Sequence, residues 1–310
     1  MISAEIIADS LNEHGQRLTT FVVEFPRIVL AEFNTHRMLS RNSASSRAIP
    51  FERMLERCQN DPFVPIRWMK DHPGMQGNEY FTNEVDIEAC IIRWNAAKER
   101  AIRVAVGLAE QGVTKQICNR LLEPFMWHKV IVTGTEWENF FALRAHPAAE
   151  IHIQELAHKM LDAYNASVPK QFKAGEWHIP FGDKIDVMRL VGLPFELTKI
   201  SSTGLNLTEK ATEAKLKIAT ARCARVSYNN FDGKDDYEAD IKLHDRLAAS
   251  GHWSPFEHCA RAMDKDEFFH YDLGWCGNFK GFIQYRKLFN EENRTDSRVV
   301  KKTIQQKAND

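Results

Sequence analysis

Long apolar runs are missing from this sequence. Stretches such as Ile28-Val29-Leu30-Ala31 and Val130-Ile131-Val132 fall far short of the ~18 to 20 residues that cross a bilayer, so no transmembrane helix is expected. An excess of charge is missing too: 41 Lys+Arg stand against 42 Asp+Glu, a formal net charge of −1. That balance excludes the global basic surplus that steers a chain onto duplex nucleic acid or an anionic membrane, and any anionic ligand must be caught by a local cluster. The six cysteines (Cys58, Cys90, Cys118, Cys223, Cys259, Cys276) form no C-x-x-C pair, which argues against a zinc ribbon and a disulfide framework. They read as reduced thiols that fill the core. The start, Met1-Ile2-Ser3-Ala4-Glu5-Ile6-Ile7-Ala8-Asp9, has acids where a signal peptide is apolar, and the expected location is the cytoplasm. What remains is 310 residues, 44% hydrophobic, 10% aromatic and 27% charged, long enough for a real core and typical of a packed globular chain.

The pattern of apolar residues places several elements. Thr19 to Phe33 is rich in β-branched and aromatic residues around Pro26, and reads as two strand-like pieces or a strand leading into a buried helix start. Apolar positions from Glu84 to Gly112 recur at helical spacing and end at a glycine, which predicts a long helix. A second helix is expected from Trp137 to Tyr164, another from Lys210 to Ala224, and another from Tyr237 to Ala249. Val168 to Thr208, with Pro180, Gly182, Gly192, Pro194 and the polar run Ser201-Ser202-Thr203-Gly204, reads as a loop-rich connector. An acidic turn follows Tyr228, and the polar tail after Arg294 is expected to fray over Lys301 to Asp310.

Two polar clusters can carry chemistry. Thr35-His36-Arg37-Met38-Leu39-Ser40-Arg41-Asn42-Ser43-Ala44-Ser45-Ser46-Arg47 sets guanidinium forks and hydroxyls directly behind an apolar run, a donor set suited to phosphate oxygens. The bland reading of such a run is a solvated loop. Ser250-Gly251-His252-Trp253-Ser254-Pro255-Phe256-Glu257-His258 brings two imidazoles and a carboxylate around a Ser-Pro turn. No third ligand follows at a metal-binding spacing, so a helix-end turn is favoured over a metal site, and no metal is expected. His146, His152 and His158 step by six residues, which does not keep them on one helical face; they read as packing or surface histidines.

Residues 35 to 47 resemble the motif R-H-R-x-x-S-x-N-E-x-S-x-R of the flavin-dependent thymidylate synthases, the ThyX family. His36, Arg37, Ser40, Asn42, Ser45 and Arg47 fall on it without a gap, while Thr35 stands at the first Arg and Ser43 at the Glu. In the approach to the motif, Glu32 stands where the family has a ligand-facing Gln. Asn139-Phe140-Phe141-Ala142-Leu143-Arg144 resembles the family's N-F-L-x-L-R segment, and Lys115 to Leu122, with Arg120, its R-E-x-A-R helix. Ala224-Arg225-Val226-Ser227-Tyr228 and His252 to His258 resemble A-R-V-S and H-x-[ST]-P-F-E-H, blocks that the family carries near its amino terminus. The resemblance thus implies permuted order; circular permutation is preferred to a degenerate second copy around Gly281-Phe282-Ile283-Gln284-Tyr285-Arg286, since neither half alone carries every block.

The resemblance implies an α+β fold with a central antiparallel sheet and long helices, forming a single catalytic domain over 1–310. It implies FAD as cofactor, with NADPH and methylenetetrahydrofolate as co-substrates, and one-carbon transfer to C5 of a pyrimidine deoxynucleoside monophosphate, dUMP to dTMP foremost. His36, Arg37, Asn42, Asn139, His252 and Ser254 would surround the flavin. Ser45 and Arg47 would hold the nucleotide phosphate and Arg144 the base, with Arg144 and Ser45 the catalytic pair and Glu32, Ser43 and Arg120 completing the substrate contacts. A homotetramer with sites built from several subunits is also implied. The departures at Thr35 and Ser43 leave room for dCMP as substrate or for a 5-hydroxymethyl product, and a non-catalytic flavin- or nucleotide-binding descendant is the reading from another class.

Overall fold

The computed structural model describes residues 1–43, 45–74, 77, 79–201, 204, 206–228 and 235–293, without the side chains of 227, 228 and 293. The acidic turn after Tyr228, the tail after Arg294 and part of the polar run at 201–204 lie outside the described residues. Strands β1 (Ser3–Asn12) and β2 (Arg17–Pro26) form a hairpin, followed by helix α1 (Leu30–Asn34), the short strand β3 (Ser40–Ser43) and helix α2 (Phe51–Asn60). Then come α3 (Glu84–Glu110), α4 (Lys115–Leu122), β4 (Trp127–Gly134), α5 (Glu138–Arg144) and α6 (Ile151–Ala166). The next segment holds β5 (Lys170–Phe172), β6 (Trp177–His178), α7 (Val187–Val191) and α8 (Phe195–Thr198), before the long α9 (Leu207–Tyr228) and α10 (Tyr237–Ala249). The carboxyl end adds β7 (Ala260–Ala262), α11 (Lys265–His270), β8 (Trp275–Cys276), β9 (Phe279–Lys280) and β10 (Phe282–Gln284).

The main sheet has the order β3-β4-β2-β1-β5. Its pairs are antiparallel except β1 with β5, which is parallel, so the sheet is mixed rather than purely antiparallel. β2 lies at its centre with both of its faces covered. Phe21, Val23 and Phe25 alternate onto one face and pack with Trp137, Phe140, Ile153, Leu156 and Met160 from α5 and α6. On the other face Ile131 and Val22 meet Phe181, Cys223 and Val226, which puts α9 against β3 and β4. Residues 20 to 50 and 215 to 260 therefore share one core, though at least 165 positions, from 50 to 215, separate them in sequence. A buried polar row crosses this second face: Ser10 Oγ and Thr20 Oγ1 each lie 2.8 Å from the His178 ring, Thr20 Oγ1 is 2.8 Å from Thr133 Oγ1, and Thr133 Oγ1 is 2.8 Å from His258 Nδ1.

Several expected elements change in detail. The Thr19–Phe33 segment takes its second reading, a strand that ends at Pro26 and turns into α1. The single helix expected from Trp137 to Tyr164 is two, because Pro147 lacks an amide hydrogen and its ring clashes with the preceding turn. His146 holds the break, accepting Ala148 N at its Nδ1 (3.1 Å), and Glu150 caps α6 by accepting His152 N at 2.8 Å. The connector at 168–208 is more than loop. It supplies β5 and β6, and its Ile185, Leu190 and Ile200 form a core with Ala211, Ala214 and Ile218 of α9 and Tyr237 and Ile241 of α10. Trypsin cleavage after the exposed Lys199 is accordingly expected to leave a nicked particle that stays together in size-exclusion chromatography at native salt; elution as two separate folded pieces would contradict this shared core.

All six cysteines are free thiols, and every one except Cys90 is buried. Burial pushes the Cys58 thiol up to about 11 and Cys259 to about 12, so these sulfurs are inert packing groups at neutral pH. Among the described residues no helix is long and apolar enough to cross a membrane.

Candidate functional site

The motif residues divide into two groups on either side of β3. The first lies at the carboxyl end of α5. Trp137 and Phe140 are anchored in the core, and Trp137 Nε1 donates to Gly134 O at 2.9 Å. Gly134 lets Leu39 approach closely: a Cβ there would come within 2.7 Å of Leu39 Cδ2, and the leucine would have to shift. So anchored, α5 aims Arg144 at the motif. Arg144 Nε donates to His36 Nε2 at 2.9 Å, and Nη2 donates to Thr35 Oγ1 at 3.1 Å and to Glu32 O at 3.4 Å. His36 is buried edge-on against Phe140, centroids 4.9 Å apart, while Arg41 Nη1 donates to His36 O at 2.8 Å. Burial, then the Arg144 and Arg41 guanidiniums, pushes the His36 imidazole down to about 4. The ring is thus neutral at pH 7, and with Nε2 accepting from Arg144 its proton sits on Nδ1. Glu32 Oε2 is buried with no hydrogen-bond partner among the described residues. The Thr35 hydroxyl donates to Glu32 O at 2.7 Å, and an arginine in its place would set a second cation against Arg144.

The second group lines a cleft of about 400 Å3: Asn42, Ser43, Ser45 and Arg47 on one wall, His252, Ser254 and Pro255 on the other, with Ala224, Leu247, Ala48 and Gln116 closing it. Asn42 joins the walls. Its Nδ2 donates to Cys223 O at 3.0 Å, and its Oδ1 accepts from Ser254 Oγ at 3.1 Å. The Ser250–Pro255 turn follows the end of α10, where Gly251 takes a φ of 71°, a conformation that disfavours a Cβ. The lining carries one permanent cation, Arg47, amid hydroxyls and amides, and no carboxylate or cysteine. Such a donor-rich, singly cationic cleft suits a phosphate-bearing ligand. A larger cavity of about 650 Å3 lies across the same turn, lined by Ala248, Ser250, Gly251, Trp253, Phe289 and Glu291 among others. It holds none of the motif's arginines or serines.

The single chain therefore brings Asn42, Ser43, Ser45, Arg47, His252 and Ser254 together. His36, Glu32, Thr35 and Arg144 stand apart from that lining. Arg37, Arg120 and Asn139 are exposed and are not among the residues that line the cleft. The two histidines of the second cluster diverge: His252 faces the cleft, whereas His258 is fully buried against Thr133. Among the described residues no three His, Cys, Asp or Glu side chains come together as a metal would need. His152 is buried, with Nε2 accepting Ile66 N at 3.1 Å, and His158 is exposed; both are packing or surface groups. Gln116 and Asn119 lie in the Lys115–Leu122 segment that resembles the family's R-E-x-A-R helix, but the sequence assigns a site role there to Arg120 alone; three-residue helical spacing puts Gln116 and Asn119 on one face and gives neither a partner.

A protein-family model described as thymidylate synthase complementing protein matches residues 9–170. Among solved structures, the chain is similar to the UMP/dUMP methylase PolB from Streptomyces cacaoi. The form bound with 5-Br UMP shows 18% identity and a TM-score of 0.42, covering 53% of this chain and 88% of that one. The form bound with 5-Br dUMP shows 16% identity and a TM-score of 0.45, covering 53% and 90%. A comparison with curated proteins finds no match. The matched span contains β2, the whole of the Thr35–Arg47 cluster and the helix that presents Arg144, and it covers more than half of the chain: the protein belongs to the thymidylate synthase complementing family, the flavin-dependent thymidylate synthases.

Proposed function

We propose that this protein transfers a one-carbon unit from methylenetetrahydrofolate to C5 of a pyrimidine deoxynucleoside monophosphate, with dUMP to dTMP as the leading reaction. The observation that carries the reading is the cleft in which Ser45 and Arg47 meet His252 and Ser254, in a chain of this family. Arg47 and the Ser45 hydroxyl hold the phosphate, the guanidinium fork and the hydroxyl both donating to its oxygens. Arg144, set by neutral His36, polarises the base. No cysteine lines the cleft, in keeping with activation of the base without a covalent thiol adduct. FAD, when bound and reduced, supplies the hydride that converts the one-carbon adduct to a methyl group. His36, Arg37, Asn42, Asn139, His252 and Ser254 are the groups proposed to surround it. Of these only Asn42, His252 and Ser254 share a cavity within one chain, so we propose that a second copy completes the site, as in a homotetramer. The contact of β3 with α9 and the 250–258 turn supports, in the same spirit, a permuted order of the family's blocks.

A second reading, a hydroxymethyl product or dCMP as substrate, is favoured by Thr35 and Ser43. The first replaces a cation beside Arg144 and the second places a hydroxyl in the cleft, so the hydrogen bonds offered to the base differ in direction. Incubation of purified protein with FAD, NADPH, methylenetetrahydrofolate and either dUMP or dCMP, followed by mass spectrometry, separates the outcomes. A nucleotide heavier by CH2 is the expected product from dUMP. One heavier by CH2O establishes the second reading, and no change in either nucleotide overturns both.

A further inference from the structure

We propose that Asn119 is a positioning residue for the phosphate-binding loop, and that Gln116, one turn earlier on α4, is a direct contact to the nucleotide. The inference rests on the reading of the Ser45–Arg47 cleft as a nucleotide site. Ser45 and Arg47 are themselves exposed, and among the described residues the hydrogen bonds within their loop are Ala48 N to Ser45 O at 2.9 Å and a long Arg47 N to Ser45 Oγ contact at 3.4 Å. The anchor comes from α4. Asn119 is fully buried, and its Nδ2 donates to Ser46 O at 2.7 Å and to Ile49 O at 3.0 Å. Those carbonyls flank Arg47 on both sides.

The surroundings are apolar: Ile49, Met54, Cys58 and Leu122 belong to the same cluster. A buried amide in such a place is costly unless its hydrogen bonds are made, and Asn119 Oδ1 has no partner among the described residues. The residue is therefore poorly accounted for by packing, and well accounted for by its two donors. No other neutral side chain of this size puts two N–H bonds from one atom onto two carbonyls. Helical spacing of three carries Gln116 to the same face, where it lines the cleft beside Arg47 and Ala48. Its backbone N–H is taken by the Thr114 cap at 3.4 Å, and its side-chain amide makes no hydrogen bond among the described residues. Next to Arg47, that amide is placed to donate to a phosphate oxygen.

The test measures nucleotide binding by titration calorimetry and steady-state kinetics on the full chain with FAD. Asn119→Asp keeps the shape but turns two donors into acceptors facing carbonyls. It is expected to raise the Kd and KM for dUMP at least tenfold, with kcat at saturating nucleotide and FAD affinity within about twofold of wild type. Gln116→Ala, at an exposed position, is expected to weaken dUMP several-fold while leaving deoxyuridine binding unchanged, and it gives its answer whether or not Asn119→Asp folds. If wild-type protein binds no pyrimidine nucleotide, the reading of the cleft fails first. If wild-type protein binds and a folded Asn119→Asp binds equally well, the positioning role is overturned; an unchanged dUMP affinity in Gln116→Ala overturns the contact.

Discussion

Lowering the pH from 7.5 to 5 is expected to unfold this protein, well before its carboxylates are fully protonated. His178 and His258 are fully buried, and His128 and His244 nearly so. Burial, as the largest cause in each case, pushes His128, His178 and His258 down to about 3 and His244 to about 4, from an ordinary 6.5. The sign follows from proton counting. Between about pH 4 and 6.5 the unfolded chain binds these protons and the folded chain does not, so stability is present above 6.5 and is lost as pH falls. Asp240 works in the opposite direction, since burial raises it to about 6 in spite of Arg225 and Arg222, but it is one group against these four and His36, itself pushed down to about 4. The net slope is on the order of 5 kcal/mol per pH unit, large against a typical total of about 5–15 kcal/mol. Guanidinium midpoints at pH 7.5, 6 and 5 measure it, together with proton uptake on unfolding from calorimetry in two buffers. Midpoints that stay level over this range would show that the buried imidazoles do not set the acid limit.

The second large effect concerns Arg144. Arg144→Ala is expected to lower kcat by about 10² to 10³, the loss typical of removing one preorganised donor from developing charge. Arg47→Ala should instead act on nucleotide KM. Arg144 also lowers the His36 pKa, so the substitution should move the His36 resonance in an NMR titration upward from about 4 while His178 and His258 stay near 3, whereas a folding defect would release all three imidazoles together. Because Arg144 does not line the Arg47 cleft within one chain, mixing the two variants under subunit exchange, at a nucleotide concentration well below the KM of Arg47→Ala where both turn over poorly, should restore activity at sites that take one intact residue from each copy. Confirmed exchange with no recovery would rule out a site shared between subunits.

Much of this was readable from the residues in order. Helix α10 occupies Tyr237–Ala249, as its periodicity predicts, and α3 runs Glu84–Glu110 within the expected span. Local rules suffice there because capping and spacing are near-neighbour properties: Asn83 caps α3 by accepting Val85 N at 3.0 Å, and Asp236 caps α10 by accepting Ala239 N at 3.0 Å. The break at Pro147 was equally local, and was overlooked because the apolar positions continue in register past it. The donor-rich character of Thr35–Arg47 was visible too, since side-chain chemistry does not depend on folding.

Residue order alone was enough for the helices with clear caps, an apolar strand in β2, the lack of any long apolar run and a cluster of Ser, Arg and Asn donors. Which of these groups meet follows from the folded chain. Asn42 bonds to residues 181 and 212 positions away, Arg144 bonds to His36 across 108, and Asn119 clamps a loop about 70 residues earlier. His258 belongs to a buried row with Thr133 rather than to the cleft, and the connector became two strands and part of a core. Each of these depends on closing long loops and burying both faces of one sheet, and such pairings follow from the packing of the whole chain, in which no local spacing names the partner.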